Sequence, residues 1–93
     1  MARYNLIPEF ENVKSYYNKA QVEIEKNIKK LYSYNVLVCE INTLENTFYL
    51  YEDFDFSQTT LRHVKEFLQQ HGFKKMTKKE MEAYKNEWGN IRE

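Results

Sequence analysis

The apolar residues of the first third of the chain fit two patterns at once. Val13, Tyr17, Ala20, Ile24, Ile28 and Leu31 recur at spacings of four, three, four, four and three, a helical stripe. Val22 and Ile24 also alternate with Gln21, Glu23 and Glu25, as a strand would, and Lys26-Asn27 then reads as a turn. Periodicity alone favours the helix. Residues 31–41 predict a strand with Leu31, Leu37, Cys39 and Ile41 on one side and Tyr32, Tyr34, Val36 and Val38 on the other. Both faces are largely apolar, which predicts a central position. Asn42 to Asn46 has turn chemistry, and Thr47 to Glu52 predicts the returning strand of a hairpin.

The second half predicts helices. Ser57 is an N-cap candidate for a helix over 58–71, with Leu61, Val64, Phe67, Leu68 and His71 as its inner stripe. Gly72 falls where a left-handed residue ends such a helix. Thr77 and Glu80 have capping-box spacing, and Met76 and Met81 that of a hydrophobic staple. The second helix is expected to carry Met81, Tyr84 and Trp88 on one face and to stop at Gly89. Residues 1–12, with the lone Pro8, are expected to be an irregular arm packed down by Tyr4, Leu6 and Ile7. Residues 89–93 are expected to fray.

Three segments carry a resemblance: Tyr16-Tyr17-Asn18-Lys19-Ala20, Leu31-Tyr32-Ser33-Tyr34-Asn35, and the stretch from Ser57 to Phe73 that contains Thr59-Thr60-Leu61-Arg62-His63. Together they resemble a family of small, mostly uncharacterised proteins found in phages and mobile elements of Gram-positive bacteria. Asn18 stands where that family usually has glycine, and Val36 where it usually has threonine. The resemblance implies a strand over 16–25, against the helical period. The expected fold is then α+β: a small antiparallel sheet of about three strands with one or two helices packed on one face, forming a single domain over 1–93. The resemblance brings no established activity. Its setting implies a role in phage–host conflict or in phage early gene expression.

Composition narrows the function classes. Aromatic residues make up 16% of the chain, with eight tyrosines, two glycines and one proline, so this is not a disordered sequence. Formal net charge is zero, which disfavours a histone-like protein or an acidic DNA mimic. The longest apolar run, Val36 to Cys39, is far short of the roughly 20 residues that span a bilayer. The start lacks a charged-then-apolar leader, and the lone Cys39 fits a reducing compartment, so a cytoplasmic protein is expected, with no membrane partner.

Catalytic constellations are scarce. His63 and His71 lie eight residues apart on one predicted helix, about 12 Å along its axis, too far to share a metal. Cys39 reads as a small buried hydrophobe, and neither glycine builds a phosphate loop. The expectation is a non-enzyme without cofactor or metal. Its first reading is an inhibitor of a host defence system that docks on a host protein, such as a CRISPR effector. Tyr49 and Tyr51, with Glu52, Asp53 and Asp55 ahead of the predicted helix, are the candidate docking residues; favourable charge near the helix dipole is the plainer account of the acids. The alternative is a nucleic-acid-binding accessory factor. Residues 62–79 carry six basic side chains against one acid, namely Arg62, Lys65, Lys74, Lys75, Lys78 and Lys79 against Glu66. A homodimer built through an exposed sheet edge is compatible with either.

Overall fold

A computed structural model describes residues 2–51, 58–84 and 88–89. They form six strands and two helices: β1 (Ala2–Asn5), β2 (Ala20–Glu25), β3 (Ile28–Ser33), β4 (Val36–Asn42), β5 (Thr47–Leu50), α1 (Gln58–Gln70), α2 (Lys78–Ala83) and β6 (Trp88–Gly89). The strands make one antiparallel sheet in the order in which they occur along the chain. The α+β class and antiparallel sheet are as expected; the strand number is six rather than about three.

The register shows which face is buried. Val22, Leu31, Cys39 and Leu50 lie in one row across the sheet, and Ile24, Lys29, Ile41 and Phe48 in the next. Apart from Ile24 and Lys29 these are essentially inaccessible, as are Val64, Phe67 and Leu68 of α1. The helix runs antiparallel to β3: Thr60 and His63 meet Ser33 at one end, and His71 meets Lys29 at the other. No described residue of the opposite face is buried. That face carries Tyr32, Tyr49 and Trp88, with the Arg3 guanidinium 4.2 Å from the Tyr32 ring centroid.

Four expectations are corrected. Residues 31–41 are two strands, because Tyr34 and Asn35 turn the chain at φ 52° and 66°, the sign a two-residue type I′ hairpin requires. Two residues after that turn a bulge inserts Val38, which buries beside Cys39, while Leu37 pairs with Tyr32 on the open face. The strand expected over 16–25 begins only at Ala20, and no residue of 13–32 is helical. The arm is not irregular throughout, since β1 pairs with β2 along its whole length. At the other end, α2 stops at Ala83, and Trp88 and Gly89 form a short edge strand on β5 instead of prolonging the helix. A Cβ on Gly89 would lie 2.7 Å from Tyr84 Cδ1 and 2.8 Å from Phe48 Cζ, so only glycine lets that backbone approach.

The helix signals at Gly72 and at Thr77–Glu80 hold. Gly72 takes φ 83°, its amide donates to the Gln69 carbonyl, and the Phe73 amide reaches back to Leu68, the double bond of a Schellman end. Both bonds of the Thr77–Glu80 capping box form, and Met76 and Met81 are buried behind it. The Ser57 cap lies outside the described residues.

The buried surface of α1 is wider than its apolar stripe. Thr60, His63 and Glu66 are as inaccessible as the leucines. The chain from Leu6 to Tyr16 covers that flank. The Glu66 carboxylate accepts the backbone amides of Glu9 (2.9 Å), Phe10 (3.0 Å) and Glu11 (2.8 Å), and Gln70 donates to both Glu66 and the Ile7 carbonyl. Burial alone would raise the Glu66 carboxyl; the bonds from Glu9, Gln70, Glu11 and Phe10 outweigh it and hold the group below the usual carboxylate range.

Glu66→Ala should lower unfolding free energy by about 2–4 kcal/mol, because it strips the partner from three amides at once. Urea denaturation and faster proteolytic nicking within residues 7–15 would report it. Gly89→Ala should cost about 1–3 kcal/mol by overpacking Phe48 and Tyr84, in the same urea assay.

Candidate functional site: a basic, tyrosine-walled cavity

The three segments singled out in the sequence meet at one end of the sheet. Tyr16 to Lys19 turn just before β2, with Tyr17 at φ 52° and Asn18 at φ 67°, and the Lys19 amide closes the turn onto the Tyr16 carbonyl at 3.0 Å. Tyr34 and Asn35 make the equivalent turn after β3. The Tyr34 amide donates to the Lys19 carbonyl at 2.8 Å, so the two turns are stitched side by side. Both place a tyrosine in the left-handed region, where side chains other than Asn, Asp and Gly are disfavoured by about 1 kcal/mol or more. Neither ring repays this by burial, since Tyr17 is 72% and Tyr34 47% exposed. Asn18 fits its position because asparagine, like the glycine of the resembled pattern, tolerates positive φ.

The start of α1 supplies the third wall. A cavity of about 490 Å³ opens between these segments, lined by Val13, Lys14, Ser15, Tyr16, Tyr17, Lys19, Tyr34, Thr59, Arg62 and His63. Three of these residues are cations and none is acidic. Lys19 Nζ lies 5.7 Å from the Tyr34 ring centroid, and Thr59 belongs to the first turn of α1, whose dipole adds to the positive potential.

His63 forms the floor. Its ring is 1% exposed, packs edge-on to Tyr16 at 4.6 Å and lies 5.9 Å from Tyr34. Nδ1 bonds to Ser33 Oγ at 2.8 Å, and Ser33 Oγ lies 3.3 Å from Thr60 Oγ1. Every described buried side-chain nitrogen and oxygen has a partner. Nε2 makes no hydrogen bond to another described residue, and His63 is among the residues that line the cavity. Burial, reinforced by the charges of Arg62 and Lys19, lowers the imidazole to about 4, and it is neutral at pH 7. The Ser33–His63 bond is not arranged as a nucleophile and base. Ser33 lies buried behind the ring, and the bond fixes ring orientation.

Arg62 pairs with Glu11, which also accepts from the Tyr16 hydroxyl at 2.6 Å. That acid and burial together raise the Tyr16 phenol far above its usual range, with burial the larger cause. The arm therefore orients two walls of the cavity.

The sequence-predicted basic set is only partly gathered here. Arg62 lines the cavity; Lys65 and Lys75 line a neighbouring one with it. Lys74 turns to Glu80 at 3.0 Å, and Lys78 and Lys79 lie on α2. Lys14, Lys19, Tyr17 and Tyr34 were missed by the charge count. The signal for them was the repeated Tyr-Asn pair, at 17–18 and 34–35, each ahead of a strand. Of the proposed docking residues, Tyr49 and Tyr51 lie on the open sheet face, their rings 5.1 Å apart, and the Tyr51 hydroxyl donates to Glu40. Glu52, Asp53 and Asp55 lie outside the described residues. Cys39 is fully buried, and burial pushes its thiol well up. Among the described residues no three His, Cys, Asp or Glu side chains group to hold a metal, and no helix is long and apolar enough to cross a membrane.

A family profile described as a family of unknown function, DUF8033, matches residues 4–83. The chain belongs to that family. The match runs from β1 through the end of α2, so the cavity lies wholly inside the DUF8033 region. No curated protein and no solved structure matches the chain.

The buried histidine gives this DUF8033 protein a definite acid response. An unfolded histidine titrates near 6.5, and folded His63 resists protonation until about pH 4. Between those values the unfolded chain binds a proton that the folded chain refuses. Stability is therefore full above pH 6.5 and falls by on the order of 3 kcal/mol as pH drops toward 4. His71, whose imidazole is also lowered chiefly by burial, acts in the same direction. Urea midpoints at pH 7 and pH 5 should show the loss, and His63→Gln should flatten it, leaving the smaller slope of His71.

Proposed function

We propose that this DUF8033 protein is a non-catalytic binding module for single-stranded nucleic acid. One observation carries the reading: two solvent-facing tyrosines are held in strained turns over a cavity lined by Lys14, Lys19 and Arg62. Strain retained without burial is a common mark of a ligand site. A flat aromatic surface suits an unpaired base, and the cations suit the phosphates that flank it. The His63 Nε2 edge offers a hydrogen bond to a seated base, at a ring whose neutral state holds throughout the physiological range. A cavity of this size falls within the roughly 300–1,000 Å³ of small-ligand pockets, enough for one nucleotide. The neutral overall charge fits a binder that uses a local patch instead of a wholly basic surface.

A second reading keeps the host-protein partner, such as a CRISPR effector, and the inhibitor role in phage–host conflict. Its support is the open sheet face, where Tyr49, Tyr51 and Trp88 form a chain of ring contacts and Trp88 is half exposed. Aromatic clusters of this kind are enriched at protein interfaces. The cavity favours the first reading because it combines rings with cations, which a docking face does not need.

Fluorescence anisotropy with labelled single-stranded DNA and RNA separates the two. Three phosphate contacts should weaken binding roughly 20-fold between about 50 mM and about 200 mM salt. Tyr34→Asn should weaken it about 10-fold or more while leaving thermal stability unchanged or raised, because asparagine relieves the left-handed strain. Tyr49→Ser should leave nucleic-acid binding intact. Absence of binding at either salt, or binding indifferent to Tyr34→Asn, would overturn the reading and turn attention to the sheet face.

A further inference from the structure

A second, smaller cavity of about 170 Å³ adjoins the first and shares Arg62 with it; Phe10, Lys65, Gln69 and Lys75 are among its walls. Resting on the reading above, we propose that this smaller cavity takes the phosphate and base edge of a second nucleotide whose base lies outside it on Phe10, and that the ligand is a strand of three or more nucleotides, not a mononucleotide.

The geometry is that of a track. Arg62, Lys65 and Gln69 stand three and four residues apart, so they form one stripe along α1. From Arg62 to Gln69 the helix rises about 10 Å, the length of about three nucleotides at a stacked rise of about 3.4 Å. The stripe starts at the tyrosine-walled cavity and ends beside Lys75. Five cations, Lys14, Lys19, Arg62, Lys65 and Lys75, line the two cavities against two carboxylates, Glu11 and Glu66. Glu66 is 1% exposed and saturated by amides, and Glu11 and Arg62 offset each other as an ion pair, which leaves the four lysines in excess. The field along the track is therefore positive.

Phe10 is the second aromatic platform. It is 58% exposed, yet its own amide and both neighbouring amides are clamped by the buried Glu66 carboxylate. The fold thus fixes the backbone beneath a large apolar ring that it leaves in solvent. In the first cavity strained turns present Tyr17 and Tyr34; in the second an amide clamp presents Phe10. A base stacked on each, with the joining phosphate at Arg62, uses every one of these residues.

Competition against a labelled oligonucleotide tests the proposal with full-length protein. The competitors are a mononucleotide, a trinucleotide and a hexanucleotide, each in ribo and deoxy form, plus an acidic peptide of matched charge. Affinity should rise at least about 10-fold from mononucleotide to trinucleotide and little beyond. Phe10→Ser and Lys75→Glu, both at exposed positions, should each weaken the trinucleotide about 5–20-fold, leave the mononucleotide unchanged and leave the melting temperature within about 2 °C. A mononucleotide that competes as well as the trinucleotide, or a trinucleotide insensitive to both substitutions, overturns the second subsite while the first cavity stands. Equal competition by the acidic peptide reduces the track to an unspecific anion patch and overturns it too. Failure of every nucleotide to bind removes the underlying reading along with this one.

Discussion

A buried carboxylate organises this small protein. Glu66 sits on the flank of α1 with no ion pair to a described residue, and its charge is balanced by amides of the preceding arm and by Gln70. Each such bond to a charged acceptor is worth more than a neutral one, and an unpaired buried carboxylate would be prohibitive, so the two sides hold each other in place. Once the arm is clamped, Leu6 is buried, His63 is roofed by Tyr16, and Glu11 is brought to Arg62. The cavity is a product of that clamp, because Val13 to Tyr17 form a wall only while the arm lies along the helix. A sheet and helix of this size would otherwise leave one side of α1 wet.

The cavity end of the molecule is also where the backbone is least comfortable. Among the described residues six other than glycine have positive φ, and four of them are the paired Tyr-Asn turns at 17–18 and 34–35. Asparagine accepts this conformation readily and tyrosine does not. The hydrogen bonds around the turns explain how they persist: Ser15 Oγ accepts the Tyr17 amide, and the Asn5 side chain holds Asn18 at 2.6 Å. They do not explain why tyrosine is used. The proposed stacking of bases on exposed rings over a basic cavity would.

Much of the helical half was legible from residue types alone. Caps, staples and glycine ends are local chemistry, and Gly72 and the Thr77–Glu80 box behave as their spacing implies. The strands were harder, for reasons that can be named. Ala20 and Ile24 face the core with Val22 between them on the same side, so a helical and a strand period share two of three positions. In residues 31–41 a two-residue turn should reverse which parity faces inward. The bulge at Val38 shifts it back, so odd-numbered residues face the core on both sides of the turn and the two strands imitate one. The cavity was illegible to charge counting because its cations come from Lys14 and Lys19 on the arm and from Arg62, over forty residues later. The three segments that carry the resemblance all reach the cavity, but nothing in their residues says that they touch.

The strand order carries a consequence for how the protein is made. Neighbours in the sheet are neighbours in the chain, so most of the sheet consists of short-range hairpins that close quickly and in any sequence. The clamp is different: it joins residues 55 to 57 positions apart and must wait for the helix to be present. A chain still emerging from the ribosome can therefore complete β1 to β5 yet have no cavity. The cavity arrives in one step, with the docking of an arm that was synthesised first onto a helix that was synthesised late.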